Sequence, residues 1–203
     1  MNTNSSSLFV VDDFYNKPDK IRKLALGTED YINDGFNYES RKLFYSEEVI
    51  TAFEKIIGEE IIVDPKRSGF GTLAFNLEGD QTHRYTHYDG NTWAAIVYLV
   101  PNEITGNGGL TICRHKDSGL TGPPDQEWLV ENNFDSFEEW KETVYNNSQT
   151  DLDAWETTMF IPMRYNRLVI KEAGKIFHRG TEGFGTNAGD SRLMHRFFFE
   201  TKK

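Results

Sequence analysis

The stretch HRYTHYDGNTWAAIVYLV, residues 83–100, joins a polar segment rich in histidine to an apolar one. If His87-Tyr88-Asp89 is extended, the period of two sends His87 and Asp89 to the same face. Gly90 and Asn91 then supply a turn. TWAAIVYLV, with its β-branched and aromatic residues, reads as a strand. An imidazole and a carboxylate side by side can hold a metal ion but cannot close its coordination shell. A third ligand must come from elsewhere in the chain.

Working outward, GTLAFNL, GLTICRH, TTMFIPM, RLVIKEA, KIFHRG and SRLMHRFFFE are each short, apolar or alternating, and bounded by Gly, Asn, Asp or Pro. About seven such strands, all beyond residue 69, predict a closed or two-sheet antiparallel structure. Trp93, Phe75, Phe160, Phe197 and Phe199 are assigned to its core. Upstream, LFVVDDF reads as a strand. A helix follows from about Lys17 to Leu26, with Asn16 as cap, Pro18 in the first turn and Gly27 as stop. Residues 46–57 form a second helix with Ser46 as N-cap, Val49, Phe53 and Ile56 or Ile57 on one face, and Gly58 at its end. Residues 114–156 interrupt the strands and contain a helix at about 137–146, where Ser136 and Glu139 form a capping box. No repeat or linker divides the chain. It reads as one domain over 1–203, with 1–68 as N-terminal helical support and 69–203 as the β core.

The net charge of −10 argues against a protein whose main affinity is for nucleic acid, since such proteins need a basic stripe. Cys113 is the only cysteine, which excludes an intramolecular disulfide and a thiolate cluster. No apolar segment has the length of a membrane span, and the N-terminus lacks a basic region before its short apolar run, so a cytoplasmic location is expected.

Of the five histidines, each taken singly reads as a surface or hydrogen-bonded core residue. His178, near the end of the strand KIFHRG, is the best donor to complete the pair at 87 and 89. Two histidines and one carboxylate on one face of an octahedral ion make the facial triad of non-haem iron(II) oxygenases, which leaves positions open. A closed zinc site would want thiolates or a further histidine. His83 and His87 have the spacing of a helical zinc site, but Arg84 stands where that motif needs Glu, and the surrounding residues disfavour a helix.

Several elements then match one family in order: HYDG (87–90), IVYLVP (96–101), GNGGLTICR (106–114), YNRLVIKEAGKIFHRG (165–180) and GDSRLMHRFFFE (189–200). The C-terminal two-thirds of the chain resembles the prolyl-4-hydroxylase-like branch of the iron(II)/2-oxoglutarate-dependent oxygenases. The N-terminal VDDFYNKPDKIRKLAL also looks like this branch, where helices brace a barrel.

The resemblance implies a mainly β fold, a double-stranded β-helix (a jelly-roll, cupin-like barrel). It implies Fe(II) held by His87, Asp89 and His178, with 2-oxoglutarate as cosubstrate and O2 as oxidant. Arg192 matches the family's arginine for the distal carboxylate, following Gly189 as it does there, although Arg196 shares its strand parity. Tyr98 matches the tyrosine that assists. The implied reaction hydroxylates a small molecule or an amino-acid or peptidyl substrate, with release of succinate and CO2. The insertion at 114–156 is the natural lid, whose Trp128, Trp140 and Trp155 either line a pocket or pack against the barrel. Its acidic residues favour a cationic or zwitterionic substrate, or simply a solvated face. His195, opposite Arg192, reads as structural. Two other readings stand beside this one: a cupin-like metal enzyme without 2-oxoglutarate, whose motif would be H-x-H with a later Glu, and a silent jelly-roll binding or structural protein.

Overall fold

Period-two alternation in the apolar segments builds two antiparallel sheets. The computed structural model describes residues 8–33, 35–64, 69–80 and 84–202. The larger sheet contains β1 (Leu8–Val11), β2 (Tyr31–Asn33), β3 (Tyr38–Leu43), β4 (Ile61–Ile62), β5 (Thr72–Asn76), β6 (Trp93–Tyr98), β9 (Leu168–Lys171) and β11 (Arg192–Thr201). Its order is β1-β9-β6-β11-β5-β3-β2, with β4 paired to the far end of β11. The smaller sheet places β7 (Gly109–His115) between β8 (Trp155–Pro162) and β10 (His178–Gly180). The sheets pack through Tyr98 and Val169 of the first and Leu110, Ile112 and Ile161 of the second.

The outer face of the large sheet is aromatic. Trp93, Phe197 and Phe199 meet Val49 and Phe53 of helix α2 (Glu47–Ile57). Phe53 lies 5.0 Å from Phe197 and 5.7 Å from Phe199, centroid to centroid. Helix α1 (Pro18–Leu26) is tied to the sheet by Arg22, which donates to the Leu99 and Gly189 carbonyls at 2.6 and 2.8 Å. Gly71 is a place where only glycine fits. Its φ is +91°, and a Cβ there would lie 2.5 Å from the Phe44 carbonyl oxygen.

The predicted helices and strands form close to their expected bounds, with differences that have physical reasons. Asn16 does not cap α1; Lys17 holds the cap position and makes no side-chain bond there. Ser46 sits at the N-cap of α2, again without a side-chain bond, while Gly58 closes that helix with φ 78°. In the insertion, Ser136 accepts from the Glu139 amide, but Glu139 reaches back to the Asp135 amide rather than to that of Ser136. That helix runs as α4 (Phe137–Trp140), a π turn (Lys141–Tyr145) and a last short piece (Asn146–Ser148). An additional helix, α3 (Gln126–Glu131), is capped by Asp125. Phe160 is not core: β8 is the outer edge of the small sheet, and Phe160 is 44% exposed there. No helix among the described residues is long and apolar enough to cross a membrane.

His195 is structural, as its strand parity predicts. Its Nε2 donates to the Phe44 carbonyl at 2.7 Å, which leaves Nδ1 to accept from the Tyr15 hydroxyl at 2.9 Å. Burial pushes this imidazole from 6.5 down to about 4. A depressed histidine stabilises the fold above its unfolded value and loses that contribution as pH falls toward the folded one. The loss between about pH 6.5 and 4 is roughly 3 kcal/mol. Urea midpoints at pH 7.5 and 5 should therefore differ less for His195→Gln than for wild type.

Candidate metal centre

The His87 and His178 backbones form an isolated antiparallel bridge, each amide donating to the other's carbonyl at 2.9 and 2.8 Å. This pairing brings together two histidines 91 positions apart in the chain. Alternation does the rest. Tyr88 and Phe177 turn to the opposite side and pack with Trp140, Tyr145 and Trp155. His87, Asp89 and His178 turn toward a cavity between the sheets, with ligand-type atoms all within 4.8 Å of one another. The His87 Nε2 lies 3.5 Å from one Asp89 oxygen and the His178 Nε2 lies 3.6 Å from the other.

The tautomers suit a cation. The His87 Nδ1 faces the Tyr85 carbonyl at 3.1 Å and the His178 Nδ1 faces the Ile176 carbonyl at 3.0 Å. A carbonyl only accepts, so each Nδ1 carries a proton, which in the neutral ring leaves the Nε2 lone pair for a metal. Burial, aided by the Lys171 ammonium and opposed by Asp89, holds His178 well below its ordinary value and hence neutral. At Asp89, burial acts to raise the carboxyl, but its neighbours, the Lys171 ammonium foremost, outweigh this and bring it to about 2. Two imidazoles and an ionised carboxylate on one patch fit a divalent first-row metal with open positions.

The same cavity, about 360 Å³ in volume, has a second polar end. Arg192 is 4% exposed and donates to the Asn76 side-chain oxygen at 3.0 Å. Its Nε and the hydroxyl of fully buried Tyr98 are enclosed without a hydrogen-bond partner. The guanidinium carbon is 5.9 Å from the Tyr98 ring. A buried cation beside unpartnered donors is costly unless an anion joins it. Gly180, two residues beyond His178, gives the guanidinium room: a Cβ there would lie 3.0 Å from one of its terminal nitrogens. Arg196, by contrast, is engaged at the mouth by Glu39 and by the Asn37 side-chain oxygen, the latter at 2.7 Å.

A family profile described as a family of unknown function, DUF6445, matches residues 1–182. The chain belongs to the DUF6445 family. No curated protein matches it. Three solved structures of HygX from Streptomyces hygroscopicus share 97% of its length. The form with nickel and 2-oxoglutarate is 13% identical over 83% of that chain, with TM-score 0.47. The form that also holds hygromycin B is 12% identical over 83%, with TM-score 0.43. The iron form is 12% identical over 82%, with TM-score 0.41.

In this DUF6445 chain, every residue named from the sequence for the metal and its cosubstrate lies on or beside one cavity, while His83 is outside the described residues. The insertion does not form the roof. It packs behind the strands that carry His87 and His178, with Trp140 and Trp155 buried; among its described residues only Gln149 lines the cavity. Its acidic residues therefore say little about the ligand. His115 finds a partner in the Ser118 hydroxyl at 2.9 Å. What sequence reasoning missed is Lys171. It is 2% exposed, lines the cavity and donates to Asp89 at 3.3 Å. The signal was present, because a lysine inside the apolar strand LVIK is rarely buried unless paired.

Proposed function

We propose that the chain is an Fe(II)- and 2-oxoglutarate-dependent dioxygenase of the prolyl-4-hydroxylase-like branch, a single cytoplasmic domain whose two packed sheets are a double-stranded β-helix. His87, Asp89 and His178 hold the metal, and Arg192 with Tyr98 receives the distal carboxylate of 2-oxoglutarate. The observation that carries this reading is the pairing, in one cavity, of a His-Asp-His cluster with a buried arginine and tyrosine whose Nε and hydroxyl lack hydrogen-bond partners. A metal enzyme without 2-oxoglutarate has no use for the second feature.

Iron, 2-oxoglutarate and O2, when bound, supply oxidative decarboxylation coupled to hydroxylation of a C–H bond, with succinate and CO2 as products. The chain's own residues do the rest. The two Nε2 atoms and the Asp89 carboxylate would hold the ion at the wall of the cavity. Arg192 orients the cosubstrate by a planar fork, held in place by Asn76. Ile96, Leu110 and Met194 provide apolar walls that exclude water. At about 360 Å³ the cavity lies near the small end of ligand sites (roughly 300–1,000 Å³), which supports a small-molecule substrate.

The test is binding of 2-oxoglutarate to the anaerobic Mn(II) form, followed by succinate release with iron(II), ascorbate and O2. Arg192→Met should weaken 2-oxoglutarate by roughly 100-fold or more, the loss of charge-assisted hydrogen bonds, while leaving Mn(II) affinity unchanged. Absence of both binding and turnover in wild type sinks the reading. Gly180→Ala crowds the Arg192 guanidinium without touching the cluster. It should raise the KM for 2-oxoglutarate several-fold, with Mn(II) affinity preserved.

A further inference from the structure

Among the described lining residues, Lys171 and Arg196 are the cavity cations that neither the metal nor the cosubstrate uses, and Lys171 is the more enclosed. Its ammonium has, among the described residues, a single hydrogen-bond partner, Asp89 at 3.3 Å, which leaves donors unspent at a position almost closed to water. Once Asp89 shares its charge with a metal, that ammonium is compensated even less. Removing a charge from water without adequate partners is expensive, so an anion at this place would stabilise the arrangement.

The charges of the whole cavity point the same way. Among its described lining residues, three cations (Lys171, Arg192 and Arg196) face two carboxylates, Glu39 and Asp89. A divalent metal and the 2-oxoglutarate dianion offset each other. One positive charge then remains uncompensated, and it is not at Arg196, whose terminal nitrogens are paired with Glu39 and Asn37 although its Nε, like that of Arg192, lacks a partner. It lies at Lys171.

The strand register shows where this point is. Lys171 pairs across β9 and β6 with Ala94, and Ala94 pairs across β6 and β11 with Phe198. Arg192 lies six residues before Phe198 on the same face of β11 and pairs with Asn76 at the other end. The two free cationic positions are thus at opposite ends of one inner face. Between Lys171 and Phe198 the side chain is only a methyl group, which leaves space. The same cavity is also lined by an aromatic pair, Phe36 and Tyr85, edge to face at 5.2 Å.

We propose, building on the oxygenase reading, that the prime substrate is a small organic monocarboxylate with an apolar body. Its carboxylate is received by Lys171, and its body lies against Ala94, Phe198 and the Phe36–Tyr85 pair. Lys171 is then a specificity-determining residue, and the cavity selects anions rather than cations.

The experiment uses the full chain loaded anaerobically with Mn(II) and 2-oxoglutarate. Calorimetric titrations compare 3-phenylpropionate and hexanoate with 3-phenylpropionamide, hexanamide and 3-phenylpropylamine. The carboxylates should bind at least about tenfold more tightly than their amides, in line with one charge-assisted hydrogen bond, and the amine should bind weakest. Lys171→Met should erase the difference between carboxylate and amide, whereas Lys171→Arg should keep part of it. The 2-oxoglutarate affinity, measured first in every variant, should not move. Binding by none of the carboxylates, equal binding of acid and amide, or a preference that survives Lys171→Met overturns the proposal. Loss of 2-oxoglutarate binding in Lys171→Met also overturns it, by assigning this lysine to the cosubstrate. A wild type that binds no 2-oxoglutarate sinks the oxygenase reading separately; the titrations on the Mn(II) form alone still decide whether Lys171 receives carboxylates.

Discussion

His178→Ala is expected to lower Mn(II) affinity by more than about 100-fold and to abolish succinate release from 2-oxoglutarate, with the fold retained. Changing a residue that only hydrogen-bonds to a metal ligand already costs about 10–100-fold, and this substitution removes a ligand itself. His178 is the most enclosed of the three side chains, at 4% exposure against 14% for Asp89 and 40% for His87. Its Nε2 is a lone pair presented to the cavity by the Nδ1 bond to Ile176. The backbone bridge to His87 does not depend on the side chain, so an alanine keeps the strands paired. Electron paramagnetic resonance of free Mn(II) during titration reads the affinity directly, and thermal unfolding without metal reads the fold. Arg192→Met is the complementary control, since it should keep Mn(II) and lose 2-oxoglutarate. A His178→Ala protein that binds Mn(II) like wild type would remove the metal centre from the account.

Much of this centre was legible because alternation is a strong signal. HYD is three residues long, yet extended geometry alone puts His87 and Asp89 on one side, and Tyr88 does pack on the other. The same logic separated Arg192 from His195. The unread parts are those where polar residues serve the cavity. Strand β3, YESRKL, is too charged to be read as a strand, and its charge is explained only by Arg196 reaching across from β11 to Glu39. β2 is three residues of an edge. The insertion misled for a related reason: three tryptophans near a site suggest a lined pocket, whereas Trp140 and Trp155 make the buried backing of Phe177. Phe160 failed as core because edge position overrides hydrophobicity.

In the metal-free protein, Asp89→Ala is expected to cost about 3–5 kcal/mol of stability, and Lys171→Met added to it should restore most of that loss. Asp89 and Lys171 form a pair exposed by only 14% and 3%, so removing the carboxylate strands an ammonium away from water. Lys171→Met alone should cost less, because Asp89 keeps the two imidazoles and some solvent. Urea unfolding of the four proteins at pH 7 gives the coupling energy. Asp89 is held near 2, below its ordinary 3.8, so its contribution is fully present above about pH 4 and fades as pH falls toward 2. Mn(II) widens the gap between wild type and Asp89→Ala. At 100 times its dissociation constant a metal adds about 2.7 kcal/mol to a protein that binds it, and nothing to Asp89→Ala. Lys171→Met removes a positive charge beside the ion and should therefore bind Mn(II) at least as tightly as wild type. Weaker binding there would mean that the ammonium's main service is to hold the Asp89 carboxylate in its coordinating pose, which separates charge compensation from orientation in a single titration.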